Sequence, residues 1–150
     1  MIIKSIIIFY TLFLITVQAY SGETCTVDGT IRTPYDGDIY IGLYTKTCWQ
    51  NHRDGFPSYP YFQIIRVTGD LVKAKKIPFK FEGIKKGNYC IIAYQDKNKN
   101  GNIDRLLGGH IIEPRGLYKE SIMEPCWKNM SFKLEQNLKN VEIAISDSGY

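Results

Sequence analysis

The sequence predicts an all-β fold, a two-layer sandwich of about seven strands, and three observations carry that expectation. Short apolar alternations recur along the chain, Gly, Pro, Asn and Asp punctuate them, and no long segment shows a helical period. Residues 1–19 stand apart from this pattern. Lys4 supplies a positive start, Ile6 to Val17 form a mainly apolar run, and Val17-Gln18-Ala19 gives a small-x-small cleavage site, so residues 1–19 are read as a secretory signal peptide. The run is shorter than the roughly 20 apolar residues of a membrane span. No cysteine follows it directly as a lipid-anchor site requires, because Cys25 comes after the polar Ser21-Gly22-Glu23-Thr24. Residues 20–150 are then one sandwich domain of 131 residues (150 minus 19), long enough to bury a real core. The expected product is a monomeric secreted or periplasmic protein with no membrane span after cleavage.

The strands follow in order. Val27, Gly29 and Ile31 share one face of a first strand, closed by the turn Thr33-Pro34-Tyr35-Asp36-Gly37. Ile39, Ile41 and Leu43 line a second, with Tyr40 and Tyr44 on its other face. Cys48 to Tyr59 reads as a loop by composition. Phe62, Ile64 and Arg66 alternate with Gln63, Ile65 and Val67 in a third strand, and Ile77, Phe79 and Phe81 mark a fourth. Gly83 to Asn88 predicts a turn into Tyr89-Cys90-Ile91-Ile92-Ala93-Tyr94, apolar on both faces and therefore central. Leu106 to Trp127 is irregular, broken by Gly108-Gly109, Pro114, Gly116 and Pro125, and Met130, Phe132 and Leu134 open a last hairpin returning through Val141, Ile143 and Ile145.

The formal net charge of +4 falls to +3 without Lys4, and the basic residues are scattered among acids. Lys73 to Lys80, the longest basic cluster, fits the polar face of an alternating strand, so nucleic-acid binding is excluded. Cys25, Cys48, Cys90 and Cys126 are an even set in a chain read as exported, which predicts two disulfides. Three connectivities are open. Cys48-Trp49 and Cys126-Trp127 both fall in turn-rich segments, which favours joining them and leaves Cys25 with Cys90. A zinc site is disfavoured, since no Cys-x-x-Cys pair occurs and His52 and His110 lack ligand spacing.

The sharpest local motif runs from Asp96 to Asp104. Asp96, Asn98 and Asn100 place side-chain oxygens at alternate positions, Gly101 tolerates the turn, the Asn102 carbonyl follows, and Asp104 adds an acid. That is the ligand pattern of a calcium loop. Leu107 stands where a bidentate acid closes such loops, so a further ligand must come from Glu82, Glu113, Glu120 or water, and Lys97, Lys99 and Arg105 lower the net negative charge. The competing account is an Asx-rich turn in which Asp96 caps backbone amides. Calcium, if taken up here, is weakly held and structural.

Phe79-Lys80-Phe81-Glu82-Gly83-Ile84-Lys85-Lys86-Gly87-Asn88-Tyr89-Cys90-Ile91-Ile92-Ala93-Tyr94-Gln95-Asp96, continuing into that loop, resembles the prealbumin-like (transthyretin-like) sandwiches. These include carboxypeptidase regulatory-like domains and Cna-B repeats. The chain looks most like a small exported bacterial family of unknown function, over roughly residues 24–146. The resemblance implies a Greek-key sandwich. Within the pattern Gly87 is expected to permit the turn, and Tyr89 to bury its ring while its hydroxyl bonds the turn backbone.

No catalytic signature accompanies this. The purine-pathway hydrolases of similar fold need a histidine-arginine site and a Tyr-Arg-Gly-Ser end, against Ser146-Asp147-Ser148-Gly149-Tyr150 here, and no G-x-S-x-G, H-E-x-x-H or phosphate-loop motif occurs. His52 and His110 read as ordinary loop residues, and Glu113, Glu120 and Glu124 as solvated acids rather than a glycosidase pair. Trp49, Phe56-Pro57-Ser58-Tyr59-Pro60-Tyr61-Phe62, Tyr118 and Trp127 offer rings suited to stacking on a sugar or anchoring a protein, or to covering the end of the sandwich. Asn129-Met130-Ser131 matches a glycosylation acceptor. The expected function is a binding or accessory module for a protein or carbohydrate ligand, with an enzyme the less favoured reading. The alternative is an extracytoplasmic hydrolase of carbohydrate or peptide.

Overall fold

A computed structural model describes residues 23–51, 62–104, 106–107, 111–119 and 126–147, with backbone alone for 49–51. Residues 1–19 and the aromatic run 56–61 lie outside it. Eight strands and three short helices are present among the described residues: β1 (Thr24–Arg32), β2 (Asp38–Tyr44), α1 (Lys46–Asn51), β3 (Gln63–Val67), α2 (Asp70–Lys73), β4 (Lys76–Lys85), β5 (Gly87–Asp96), β6 (Arg115–Leu117), α3 (Trp127–Met130), β7 (Phe132–Leu134) and β8 (Leu138–Ala144). No helix among them is long and apolar enough to cross a membrane.

The strands form two sheets. One has the order β4-β1-β8, and the other runs β3-β2-β5-β6 with β7 also paired to β5. Antiparallel ladders join β1 to β4 and β2 to β3 and β5, whereas β1 and β8 run parallel. The period-two alternation of each strand turns one apolar set inward. Val27, Ile31, Phe79, Phe81, Val141 and Ile143 from the first sheet meet Ile39, Ile41, Leu43, Ile91 and Ala93 from the second in one core. At about 25 cal/mol per Å² of apolar surface withdrawn from water, this interleaving is the main force holding the sheets together.

The predicted strand faces hold for β1 to β5, and Tyr89 does bury its ring and donate its hydroxyl to the Lys85 carbonyl at 2.8 Å. Three local expectations are corrected. The loop foreseen from Cys48 begins inside α1, whose first turn is set by Thr45: its Oγ1 accepts the Cys48 amide at 3.3 Å, an N-cap contact. The turn at 83–88 is narrower than its composition suggests, because β4 continues to Lys85. There Gly83, at φ 68°, absorbs the irregularity, while Gly87 serves by leaving room for the Tyr89 ring, 3.3 Å from where a Cβ would stand.

The third correction concerns the chain end. β7 and β8 are not a hairpin, since β7 pairs with β5 in one sheet and β8 with β1 in the other. Two contacts explain why the chain crosses over. Asn137 Oδ1 accepts the Thr26 amide at 2.9 Å, tying the crossover to β1. Gly29 then lets β8 approach, because a Cβ there would lie 2.1 Å from the Val141 carbonyl oxygen. Beyond β8, Arg115 and Ser146 exchange both backbone hydrogen bonds, at 3.0 and 3.1 Å, and link the β6 edge to the end of the other sheet.

Candidate functional site

β5 delivers the oxygen-rich loop. Its last residue, Asp96, is fully buried opposite Asp38 of β2, and Arg66 of β3 reaches Asp38 at 2.7 Å. Asp96 spends both oxygens on the loop backbone, accepting Asn100 N–H at 3.1 Å and Gly101 N–H at 2.7 Å. Two Asx turns follow, with Asn98 Oδ1 accepting Asn100 N–H at 3.1 Å and Asn100 Oδ1 accepting Asn102 N–H at 2.7 Å. Lys99 and Gly101 take left-handed conformations, at φ 60° and 77°, to close this path. The Asn98 and Asn100 amide groups both donate to Asp104, at 2.6 and 2.8 Å. Asn102 directs its own amide group back to the Asn100 carbonyl at 3.3 Å. Ile103 is buried against the outer face of the five-stranded sheet and holds the loop down.

Asp104 also anchors what comes next, its carbonyl accepting Ile112 N–H at 3.0 Å. This places Glu113 beneath the loop. It is 3% exposed and accepts the Lys97 amide at 3.2 Å. Burial pushes the Glu113 carboxyl above the usual range, the Lys97 N–H draws it back, and the charges of Asp96 and Asp104 push it up again. Of the three acids named from sequence as further ligands, Glu113 is the one brought to the loop. Glu82 projects from β4 and pairs with Lys80, and Glu120 lies outside the described residues. Leu107 is fully exposed and takes no part in the loop.

All-oxygen donors and clustered carboxylates suit a hard cation such as calcium. In this conformation the loop is closed by its own hydrogen bonds, and no group of three or more His, Cys, Asp or Glu side chains among the described residues stands ready around one point. A cation at Asp104 would replace the two amide donors that now offset its charge. Lys97 stacks its ammonium over the Tyr35 ring, 5.1 Å from the centroid. Spacing alone could not point to Asp38, because its place beside Asp96 depends on β2 pairing with β5, a strand remote in sequence.

In this conformation none of the four cysteines is joined to another. Cys25 faces the core between the sheets, whereas Cys90 belongs to a second cluster on the outer face of the five-stranded sheet. Strand alternation separates them: Tyr89 and Ile91 point inward, and Cys90 points away. The Cys25–Cys90 pairing favoured from sequence is therefore incompatible with the fold. Cys48 packs against the cluster of Cys90, and Cys126 is exposed at the start of α3. His52, His110 and Glu124 fall outside the described residues. Of the remaining aromatics, Tyr118 packs edge-on to Phe132 at 5.1 Å and Trp127 lies against the outer cluster, while Phe62 is exposed beside Tyr89.

No curated protein and no solved structure gives a significant match to the chain. A family model does, over residues 29–142, which takes in both sheets and the whole Asp96–Asp104 loop. On that match the chain belongs to the bacterial family described as "Uncharacterized protein conserved in bacteria (DUF2141)".

Proposed function

We propose that this chain is an exported binding or accessory module, built on a prealbumin-like Greek-key sandwich, whose Asp96–Asp104 loop takes up calcium with Glu113 as the acid that completes it. The observation that carries the calcium reading is Glu113, buried under the loop with its carboxyl pushed upward by burial and by Asp96 and Asp104. A cation would relieve the repulsion that the buried Glu113 carboxyl feels from Asp96 and from the partly exposed Asp104. Support for the Greek-key label comes from the path of the chain: after the antiparallel pair β2 and β3, β4 returns beside β1. Calcium here is structural. It would stiffen the exit of the central strand rather than switch a conformation, because the loop already has a closed form.

Scanning calorimetry in calcium and in chelator tests this. For a dissociation constant of about 1 mM, typical of weak extracellular sites, 10 mM calcium adds about 1.4 kcal/mol, a rise in Tm of about 5 °C. Glu113→Gln and Asp104→Asn should each abolish the rise. A wild-type Tm indifferent to calcium would sink the proposal.

A further inference from the structure

Two of the four thiols share one apolar cluster on the outer face of the five-stranded sheet. Tyr44 stands opposite Cys90 in the β2·β5 register, and opposed residues on one face carry Cβ atoms about 4.5–5.5 Å apart. From Tyr44 the chain passes through Thr45 straight into α1, which brings Cys48 back over that face. Thr45 fixes the approach: its Oγ1 accepts the Cys48 amide at 3.3 Å and lies 3.1 Å from Cys48 Sγ. Cys48 packs, half-buried, against the cluster that contains Tyr44, Cys90 and Met130.

We propose that Cys48 and Cys90 form a disulfide that fastens α1 to the central strand β5. The other thiols are less well placed. Cys25 lies on the far side of the sheet, in the inner core, and Cys126 is exposed at the start of α3. A disulfide requires Cα atoms roughly 4.4–6.8 Å apart, so closing the bond draws α1, which packs beside β2, toward the neighbouring strand β5. The bond does not depend on calcium.

The chemistry has a definite order. Burial pushes the Cys90 thiol up to about 12, with the Cys48 charge adding to the effect, so Cys90 stays protonated at neutral pH. Cys48, the more accessible of the two, reacts first. Its thiolate attacks one sulfur of a small-molecule disulfide such as oxidised glutathione, forming a mixed disulfide and expelling one glutathione thiolate. Cys90 gives its proton to that thiolate, and its sulfur displaces the second glutathione. Two protein thiols are oxidised to one disulfide, and one glutathione disulfide is reduced to two thiols.

The test is to reduce the full chain, equilibrate it in a glutathione redox buffer, alkylate it and map its peptides without reduction. The expected product is one linked peptide pair holding Cys48 and Cys90, retained in Cys126→Ser and lost in Cys48→Ser. Reductant should lower the Tm of the wild type and leave that of Cys48→Ser unchanged. Recovery of Cys90 joined to Cys25 or to Cys126, or of both Cys48 and Cys90 as thiols in fully oxidising buffer, would overturn the proposal.

Discussion

The two faces of the five-stranded sheet are buried in different ways. Its inner face meets a second sheet, so each inward residue is matched by another strand: Ile41 and Ala93 meet Val27, Ile31 and Phe81 in one continuous core. Its outer face carries Tyr40, Tyr44, Cys90, Ile92 and Tyr94, covered by short segments that include α1, α3, Ile103 and Ile111. The outer face keeps some polar character. Tyr40 and Tyr94 stack at 5.1 Å, and the Arg66 guanidinium lies 5.3 Å over the Tyr40 ring while pairing with Asp38. A strand apolar on both sides thus announces a second cover, but only the inner cover is a sheet.

Substitutions that probe matched positions sharpen this contrast. The largest loss is expected inside: Ile91→Ala should cost about 4 kcal/mol in chemical denaturation, whereas Ile92→Ala on the outer face of the same strand should cost about 2, because short covering segments relax around a cavity more easily than a sheet does. Equal losses would mean that the outer cover packs as rigidly as the core. Glycines give the next comparison. Gly29→Ala places a Cβ 2.1 Å from a backbone oxygen of β8, which cannot yield without loss of pairing, and should cost about 3 kcal/mol. Gly42→Ala meets the Tyr44 ring at 2.6 Å and should cost about 1–2, since a side chain can turn aside.

These expectations also show what the sequence made legible. Ile39-x-Ile41-x-Leu43 and Ile77-x-Phe79-x-Phe81 alternate cleanly, and the strands they predict are present, facing the predicted way. Alternation reports a face, not a partner. Phe132-x-Leu134 and Val141-x-Ile143 looked like the arms of one hairpin because they are near in sequence, yet their hydrogen bonds go to β5 and β1. The short helices α1, α2 and α3 were too brief to set up a period. At the candidate site, Asp96 to Asp104 was readable as a loop from spacing alone. Choosing Glu113 over Glu82 required knowing that Asp104 ties back to Ile112.

Smaller effects separate the faces chemically. In the reduced protein, Cys90 is held as a neutral thiol by burial and should escape alkylation at pH 8, while the exposed Cys126 reacts. The sign of the linked stability follows from a raised folded-state pKa: the contribution is intact below the unfolded value near 9 and is lost as pH climbs toward about 12. Cys90→Ala should flatten that alkaline decline. A decline of unchanged slope would show that another group governs it. The smallest effect belongs to neither face: Arg32 pairs with Glu142 at 2.8 Å with both side chains over half exposed, and Arg32→Ala should change stability by no more than about 0.5 kcal/mol.

The loop leaving β5 and the acid buried beneath it are proposed to form one calcium site. Isothermal titration of calcium into the purified protein, run alongside Glu113→Gln, addresses it most directly. A saturable one-to-one isotherm is expected for the wild type, with a dissociation constant of about 0.1–1 mM, and a loss of at least tenfold in affinity for the variant. A flat titration of the wild type, or a variant that binds as tightly, would contradict the proposal.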